Sequence, residues 1–245
     1  MSMVDAVVSP LPGARTGRDP ARAIKRGPRS MTPEAVAATQ RERLYDALVH
    51  TVAEKGYVSA RVSDICAGAG VTRPAFYALF AGKEDAFLAT YRHGTSVVLR
   101  LMDDAYAEAD DWRTGAQAAL KVLLDVLASV PAFAVMAIVE IDAAGPVARR
   151  ERTELLSRFG RFFTDAPPVP DGLVDTVVGG VYAAIYGHVS TGRVAGLPDL
   201  LPMLSYFMMA PFLGRDGAAD VSTTPPAGDR VVAPCAVSDT DGVFH

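Results

Sequence analysis

The hydrophobic positions of this chain recur at helical spacing over most of its length, as in Leu44, Leu48 and Val52, and no stretch shows strand alternation. From residue 83 the pattern continues almost to residue 214, broken by prolines, glycines and paired aspartates. Helices are predicted there over residues 83–109, 112–129, 132–144, 146–164, 171–195 and 198–213. The predicted fold class is therefore all-α.

Three shorter helices are predicted before residue 83. The first begins after Thr32, whose hydroxyl can cap it, and ends at Gly56. The second covers about residues 62–68 and the third about residues 73–80, and Gly70 between them supplies the backbone freedom of a sharp turn. Two short helices joined by a tight turn form the motif that places one helix in the DNA major groove.

Charge and composition separate the ends of the chain from its middle. Residues 1–30 hold six Lys/Arg and two Asp/Glu, whereas residues 96–245 hold eleven Lys/Arg and nineteen Asp/Glu. Only the front of the chain is thus expected to meet an anionic partner, although a solvated tail is an alternative. Segments 1–31 and 215–245 are rich in Pro and Gly, and both are predicted to be disordered.

Several classes of protein are disfavoured by the sequence. The two cysteines, Cys66 and Cys235, lack metal-ligand neighbours and fit a reducing cytoplasm. No apolar stretch has the length of a signal peptide core or a membrane span, so we expect a cytoplasmic protein without a membrane partner. The four histidines are scattered, and neither a phosphate loop nor a nucleophile elbow is present. We expect no enzyme activity, no cofactor and no metal.

The stretch from Gly56 to Glu84 resembles TetR-type (TetR/AcrR) bacterial transcriptional regulators. The resemblance is carried by Gly-Tyr at 56–57, Val-Ser-Asp-Ile-Cys-Ala at 62–67, Ala-Gly-Val-Thr-Arg-Pro-Ala-Phe-Tyr-Ala-Leu-Phe at 69–80 and Lys-Glu at 83–84. Two positions depart from the family pattern. Arg61 stands where a threonine usually caps the second helix, and Leu79 replaces a histidine at the exit of the third.

The third predicted helix is the recognition helix under this reading. Arg73 is the candidate for base readout, because an arginine can donate two hydrogen bonds to guanine. A phosphate contact without sequence preference is its alternative. Pro74 and Ala75 offer apolar surface to a thymine methyl group, and Tyr77 matches a family tyrosine that faces DNA. The alternative for Tyr77 is a core aromatic.

Contacts to the DNA backbone are expected on both sides of this helix. Thr72 offers a hydroxyl at its start, Ser63 lies on the outer face of the second helix, and Arg61 can reach a phosphate as a cation. Lys83 matches the family lysine that holds a phosphate, although a lone lysine is usually only solvated. The N-terminal basic residues could enter the minor groove or could simply solubilise the chain; they are Arg15, Arg18, Arg22, Lys25, Arg26 and Arg29.

The resemblance implies that residues 32–82 form the DNA-binding domain and residues 83–214 an effector-binding and dimerisation domain. An apolar or aromatic ligand would bind among Met102, Trp112, Phe133, Met136, Phe159, Phe163, Tyr182 and Tyr186. Glu140 would fix a polar part of the ligand, or would pair with Arg149 or Arg150. A homodimer would form through the last two helices, which are apolar on more than one face, with a thicker monomer core as the alternative.

The most favoured function is that of a repressor released from a palindromic, double-stranded DNA operator by a small apolar or aromatic ligand. An activator or a ligand-independent regulator of the same fold is one alternative. A helical small-molecule-binding protein that has lost DNA binding is the other.

Overall fold

The computed structural model of the protein describes residues 11–18 and 32–223, and these contain helices and no strand, which confirms the all-α prediction. The α-helices are α1 (Pro33–Lys55), α2 (Val62–Ala69), α3 (Arg73–Leu79), α4 (Lys83–Ala107), α5 (Trp112–Ser129), α6 (Pro131–Ala134), α7 (Pro146–Arg158), α8 (Leu173–Ser190) and α9 (Leu201–Thr223). A π-helical segment, Val135–Glu140, directly continues α6, and short 3-10 turns follow α7 and precede α9.

Helices α1 to α3 form a three-helix unit around a small core. Leu44, Leu48 and Phe76 are almost completely buried in it. Gly70 ends α2 in the left-handed conformation, with φ 61°, as the sequence predicts. Thr72 caps α3, since its hydroxyl accepts a hydrogen bond from the backbone of the third residue on. These local features fix the angle at which α3 leaves the turn.

Helices α4 to α9 form the second, larger helical unit, in which α4 packs along α5 and α5 along α9. The boundaries differ from the predicted ones where the backbone departs from α-helical geometry. The helix predicted over residues 146–164 ends at Arg158 and continues as the 3-10 turn Phe159–Phe163. The helix predicted over residues 132–144 ends with the π-helical segment at Glu140.

Residues 11–18 form an ordered strap across α1, so the prediction of disorder is wrong for them. Leu11 and Gly13 are buried, and the N–H of Gly13 donates to the carboxylate of Asp46, which is itself only 4% exposed. Arg43 donates to the carbonyl of Gly17, and Arg18 donates to the carbonyl of Ala67 on α2. The segment is held mainly by hydrogen bonds to backbone groups, which need no periodic apolar pattern. Its composition therefore looked like that of a disordered segment.

The C-terminal prediction also needs correction, because α9 extends to Thr223 instead of ending before residue 215. The helix kinks at Gly214, with φ 70°, and then continues. Ala218 is fully buried, and Gln117 on α5 donates to the carbonyl of Val221. These contacts hold the added turns against the larger unit.

Other predictions for the termini fall on residues 1–10, 19–31 and 224–245, outside the described residues; they include those on Arg22, Lys25, Arg26, Arg29 and Cys235. Within the described chain, no single helix is long and apolar enough to span a membrane. The consecutive pair Trp112–Ser129 and Pro131–Glu140 reaches the necessary length and composition only together, and it bends by 106° at its break.

The strap gives a stability prediction at Gly13. A Cβ atom there would lie 2.5 Å from Val49 Cγ1, and Gly13 has φ 86°. Gly13→Ala should therefore add an overpacking cost of about 1–3 kcal/mol to the cost of a left-handed alanine. Gly192→Ala is the matched control, because Gly192 has φ 74° and no atom within 4 Å of such a Cβ. Equal losses in urea unfolding would show that the strap does not contribute to stability.

Candidate DNA interface and effector cavity

The outer face of α3 presents the side chains that the sequence predicts for DNA. Thr72, Arg73, Pro74 and Tyr77 are exposed, and Tyr77 is 54% exposed although its ring meets the buried Phe76 edge-on. Arg73 makes no hydrogen bond or ion pair within the part of the chain that the structure describes. The guanidinium is therefore free to meet a ligand, and a core position for Tyr77 is excluded.

Helix α2 begins without the usual threonine cap, and a different hydrogen bond is present at its start. Arg61 occupies the cap position and cannot accept a hydrogen bond, but its own N–H donates to the carboxylate of Asp64, at 3.2 Å. This backbone hydrogen bond, together with Lys55 at 3.4 Å, lowers the pKa of Asp64. Arg61 and Ser63 are both exposed beside the α3 face, so their cation and hydroxyl lie free at the surface.

The ammonium group of Lys83 donates hydrogen bonds to backbone carbonyls of the loop between α1 and α2. Its Nζ donates to the carbonyls of Tyr57 at 2.6 Å and Ala60 at 2.9 Å, with a longer contact to Val58 at 3.4 Å. It also lies 4.2 Å from the centre of the Tyr57 ring, and burial lowers its pKa. A lysine has three N–H donors, so a phosphate would have to replace one of these carbonyls. The phosphate contact stays a prediction, and the geometry assigns Lys83 to holding the α1–α2 loop.

Glu140 makes neither of its two predicted interactions. It does not line the cavity described below, and Arg149 donates instead to the carbonyl of Asp142. The Glu140 carboxylate accepts the N–H of Tyr57 at 2.6 Å. The last residue of the π-helical segment thus bonds directly to the α1–α2 loop of the three-helix unit, a contact between residues far apart in sequence.

A cavity of about 100 Å³, partly open to solvent, lies inside the larger unit between α4, α5, α7 and α8. Among the predicted wall residues, Met102, Phe133, Phe159, Phe163 and Tyr182 line it. The others do not: Trp112 packs on Phe212, Met136 is core, and Tyr186 is 37% exposed on the outside. Periodicity marked all of these residues as apolar but could not tell which face of a helix meets empty space.

Four polar side chains interrupt the apolar lining, and three of them, Tyr91, Thr95 and Arg152, were not singled out from the sequence. Thr95 donates to the carbonyl of Tyr91 at 2.8 Å. The Tyr182 hydroxyl donates to the carbonyl of Ile138 in the π-helical segment at 3.0 Å. Arg152 pairs with Asp142 and lies over the Tyr182 ring. At helical spacing Tyr91 and Thr95 look like ordinary core residues, so nothing in the sequence showed that they line a cavity.

Tyr91 differs from these neighbours, because its hydroxyl has no hydrogen-bond partner within residues 11–18 and 32–223. Its side chain is only 2% exposed, and burial is the main cause that raises its pKa. The group is therefore a neutral donor at physiological pH. An unpaired buried donor costs about 1–3 kcal/mol unless water or a ligand satisfies it.

An apolar surface remains uncovered on α8 and α9. Met203, Tyr206 and Phe207 on α9 and Tyr186 on α8 are between 36% and 52% exposed. Leu204, by contrast, is 1% exposed, so one face of α9 packs inward and the neighbouring face is open. Within the described chain, no group of three or more His, Cys, Asp or Glu side chains could hold a metal ion.

The sequence matches a known family model in part, and the fold is similar to several solved structures. Residues 44–90 match the family model described as bacterial regulatory proteins, tetR family. The fold is similar to the fatty acid degradation regulator FadR of Bacillus halodurans, with 19% identity, 76% of this chain and 95% of that one covered, and a TM-score of 0.63.

Two further solved structures share the fold. FadR of Bacillus subtilis in complex with stearoyl-CoA is 18% identical over 70% of this chain and 97% of that one, with a TM-score of 0.61. A TetR-like regulator of Rhodococcus sp. RHA1 is 18% identical over 74% and 99%, with a TM-score of 0.55. No curated protein sequence matches this chain.

The Lys83 contacts predict a loss of stability that a surface lysine would not give. Lys83→Met should cost about 1.5–3 kcal/mol, because it leaves loop carbonyls without their charged donor. Lys121→Met is the control, since Lys121 forms an i,i+4 pair with Asp125 at a partly exposed position and should cost under about 1 kcal/mol. Chemical denaturation measures both.

The salt dependence of DNA binding separates the two roles of Lys83. We expect Lys83→Met to weaken binding while the slope of log affinity against log salt stays unchanged. A fall in that slope by about 0.9 would instead identify a lost phosphate contact.

Proposed function

We propose that this chain, whose residues 44–90 match the family model of tetR-family bacterial regulatory proteins, is a transcriptional repressor that a small apolar or aromatic ligand releases from a palindromic DNA operator. Under this proposal residues 32–82 bind DNA and residues 83–214 bind the ligand and hold the dimer. The described turns up to Thr223 belong with the second domain.

The observation that carries the proposal is the exposed Arg73 at the start of α3, which has no partner among residues 11–18 and 32–223. A helix that follows a tight turn can enter the major groove, and a guanidinium at its first residue reaches base edges there. Pro74 and Ala75 would pack on a thymine methyl group, and the exposed Tyr77 would lie one helical turn further along.

Backbone contacts would come from the residues around this face. Thr72 and Ser63 offer hydroxyls and Arg61 a cation, and all three are exposed. Lys83 would contribute by holding the α1–α2 loop in place. Such contacts set the position of a protein on DNA without reading its sequence.

The internal cavity supports an apolar effector. Its lining is hydrophobic apart from four side chains, and a FadR of the same fold binds stearoyl-CoA. At 18% identity the similarity extends to the fold and does not identify the ligand of this chain. A concave, mostly apolar space with few polar groups is typical of a small-molecule site.

The bond between Glu140 and Tyr57 supports coupling of this cavity to DNA. The π-helical segment contributes Ile138 to the cavity wall and Glu140 to the α1–α2 loop. A ligand that repositions this segment would change how the loop is held, and with it the orientation of α2 and α3. Release requires the ligand to favour the form that does not bind DNA, and a typical allosteric coupling of about 1–3 kcal/mol would lower DNA affinity about 5–150-fold.

The uncovered face of α8 and α9 supports a homodimer. Exposed apolar residues at positions 203, 206 and 207 lie on one side of α9, beside α8, where Gly180 allows Phe207 to approach closely. A second copy would cover this surface and place two recognition helices for a two-fold operator.

The repressor can be tested through its reading of bases. Operator DNA selected from a random pool should bind Arg73→Ala with discrimination reduced by about 1–3 kcal/mol at one base position in each half-site. Fluorescence anisotropy with point variants of the operator, at fixed salt, measures this. Arg113→Ala on α5 is the control and should leave discrimination intact. An equal loss for every sequence would make Arg73 a phosphate contact.

The dimer gives a separate prediction. Met203→Glu combined with Phe207→Glu should yield a folded monomer that no longer binds the operator, because charge on both sides would oppose burial of this face. Light scattering gives the mass, and circular dichroism checks the fold. Met203→Leu with Phe207→Leu keeps the surface apolar and should remain dimeric. A dimer that survives the glutamates would place the interface elsewhere.

A further inference from the structure

The polar end of the cavity lies towards the DNA-binding domain. The residues of α4 that line the cavity run from Tyr91 to Met102, a separation of about 16 Å along a helix. Tyr91 lies about two helical turns after Lys83, whereas Met102 lies at the far, apolar end. The cavity is thus long and has one polar end.

Three of the four polar groups at this end already have partners. Thr95 and Tyr182 donate their hydroxyl protons to backbone carbonyls, and the charge of Arg152 is balanced by Asp142. Of these four groups, only the hydroxyl of Tyr91 lacks a hydrogen-bond partner among the described residues, although the residue is only 2% exposed. Tyr91 lies one helical turn before Thr95 on α4, and both line the same cavity as Tyr182 and Arg152.

From this we propose, resting on the proposed function of the cavity, that the effector is an uncharged apolar molecule with one hydrogen-bond-accepting oxygen, and that Tyr91 donates to that oxygen. A carbonyl or ester oxygen fits, because a buried donor is satisfied without a further counter-charge. A carboxylate fits less well, since Arg152 already has Asp142 as its ionic partner.

The polar end would also let such a ligand act on the π-helical segment, which a plain hydrocarbon would not do through a hydrogen bond. Its oxygen would lie beside Tyr182, whose hydroxyl holds Ile138 in the π-helical segment. That segment ends at Glu140 and its bond to Tyr57. Tyr91 is therefore a specificity-determining residue at the end of the cavity where ligand binding meets the link to the DNA-binding domain.

Three naphthalenes of nearly equal size test the proposal on the full chain. Acetylnaphthalene carries a neutral acceptor, ethylnaphthalene none, and naphthoate a carboxylate, each at the β position. Their binding is measured by displacement of the fluorescent probe phenylnaphthylamine. The wild-type protein should bind the acetyl compound more tightly than the ethyl compound, by about fivefold to tenfold, and more tightly than naphthoate.

Tyr91→Phe removes only the hydroxyl and should abolish the preference for acetyl over ethyl, leaving ethylnaphthalene binding unchanged. Tyr106→Phe is the matched control, because Tyr106 is also on α4 with a buried, unpartnered hydroxyl but does not line the cavity. It should keep the preference.

A preference that survives in Tyr91→Phe would overturn the inference, as would the tightest binding by naphthoate. Either result leaves the cavity a ligand site. If even ethylnaphthalene and the probe fail to bind the wild-type protein, the ligand-binding part of the proposed function fails, and the inference fails with it.

Discussion

The structure depends on how the backbone of Tyr57 is held between the two helical units. Glu140 accepts its N–H, and Lys83 donates to its carbonyl. The Tyr57 ring then packs over Lys83 and edge-on against Phe87 in the core of α4. Both hydrogen bonds involve a charged side chain, and such bonds are roughly twice as strong as neutral ones. The α1–α2 loop is therefore fixed by residues of the second unit.

This arrangement gives α3 a defined relation to the cavity. Helix α4 begins at Lys83 and forms one wall of the cavity, while the π-helical segment forms another and ends at Glu140. A π-helical turn is uncommon and often marks a functional site. Here it allows one short segment to face the cavity with Ile138 and the loop with Glu140. Helix α4 through Lys83 and the π-helical segment through Glu140 thus both hold the α1–α2 loop. A ligand that moves either of them would also affect α2 and α3.

The strap at residues 11–18 adds a further constraint on the three-helix unit. It satisfies the buried carboxylate of Asp46 and reaches the end of α2 through Arg18. Gly13 also packs against Val49 and Val130, so the strap contacts both α1 and the start of the α6 region. A buried carboxylate is costly without hydrogen bonds, which makes the strap part of the folded domain rather than a tail.

The sequence by itself determined the helical class and the turn at Gly70, because these follow from local spacing and from backbone conformations that glycine favours. It could not assign Glu140, since a carboxylate among apolar residues is compatible with a ligand, an arginine or a backbone N–H. Only the tertiary structure decided this, by bringing Tyr57 within 2.6 Å. The same holds for Tyr91: helical periodicity marks a residue as inward-facing, but whether it meets a neighbour or an open cavity depends on how the helices pack.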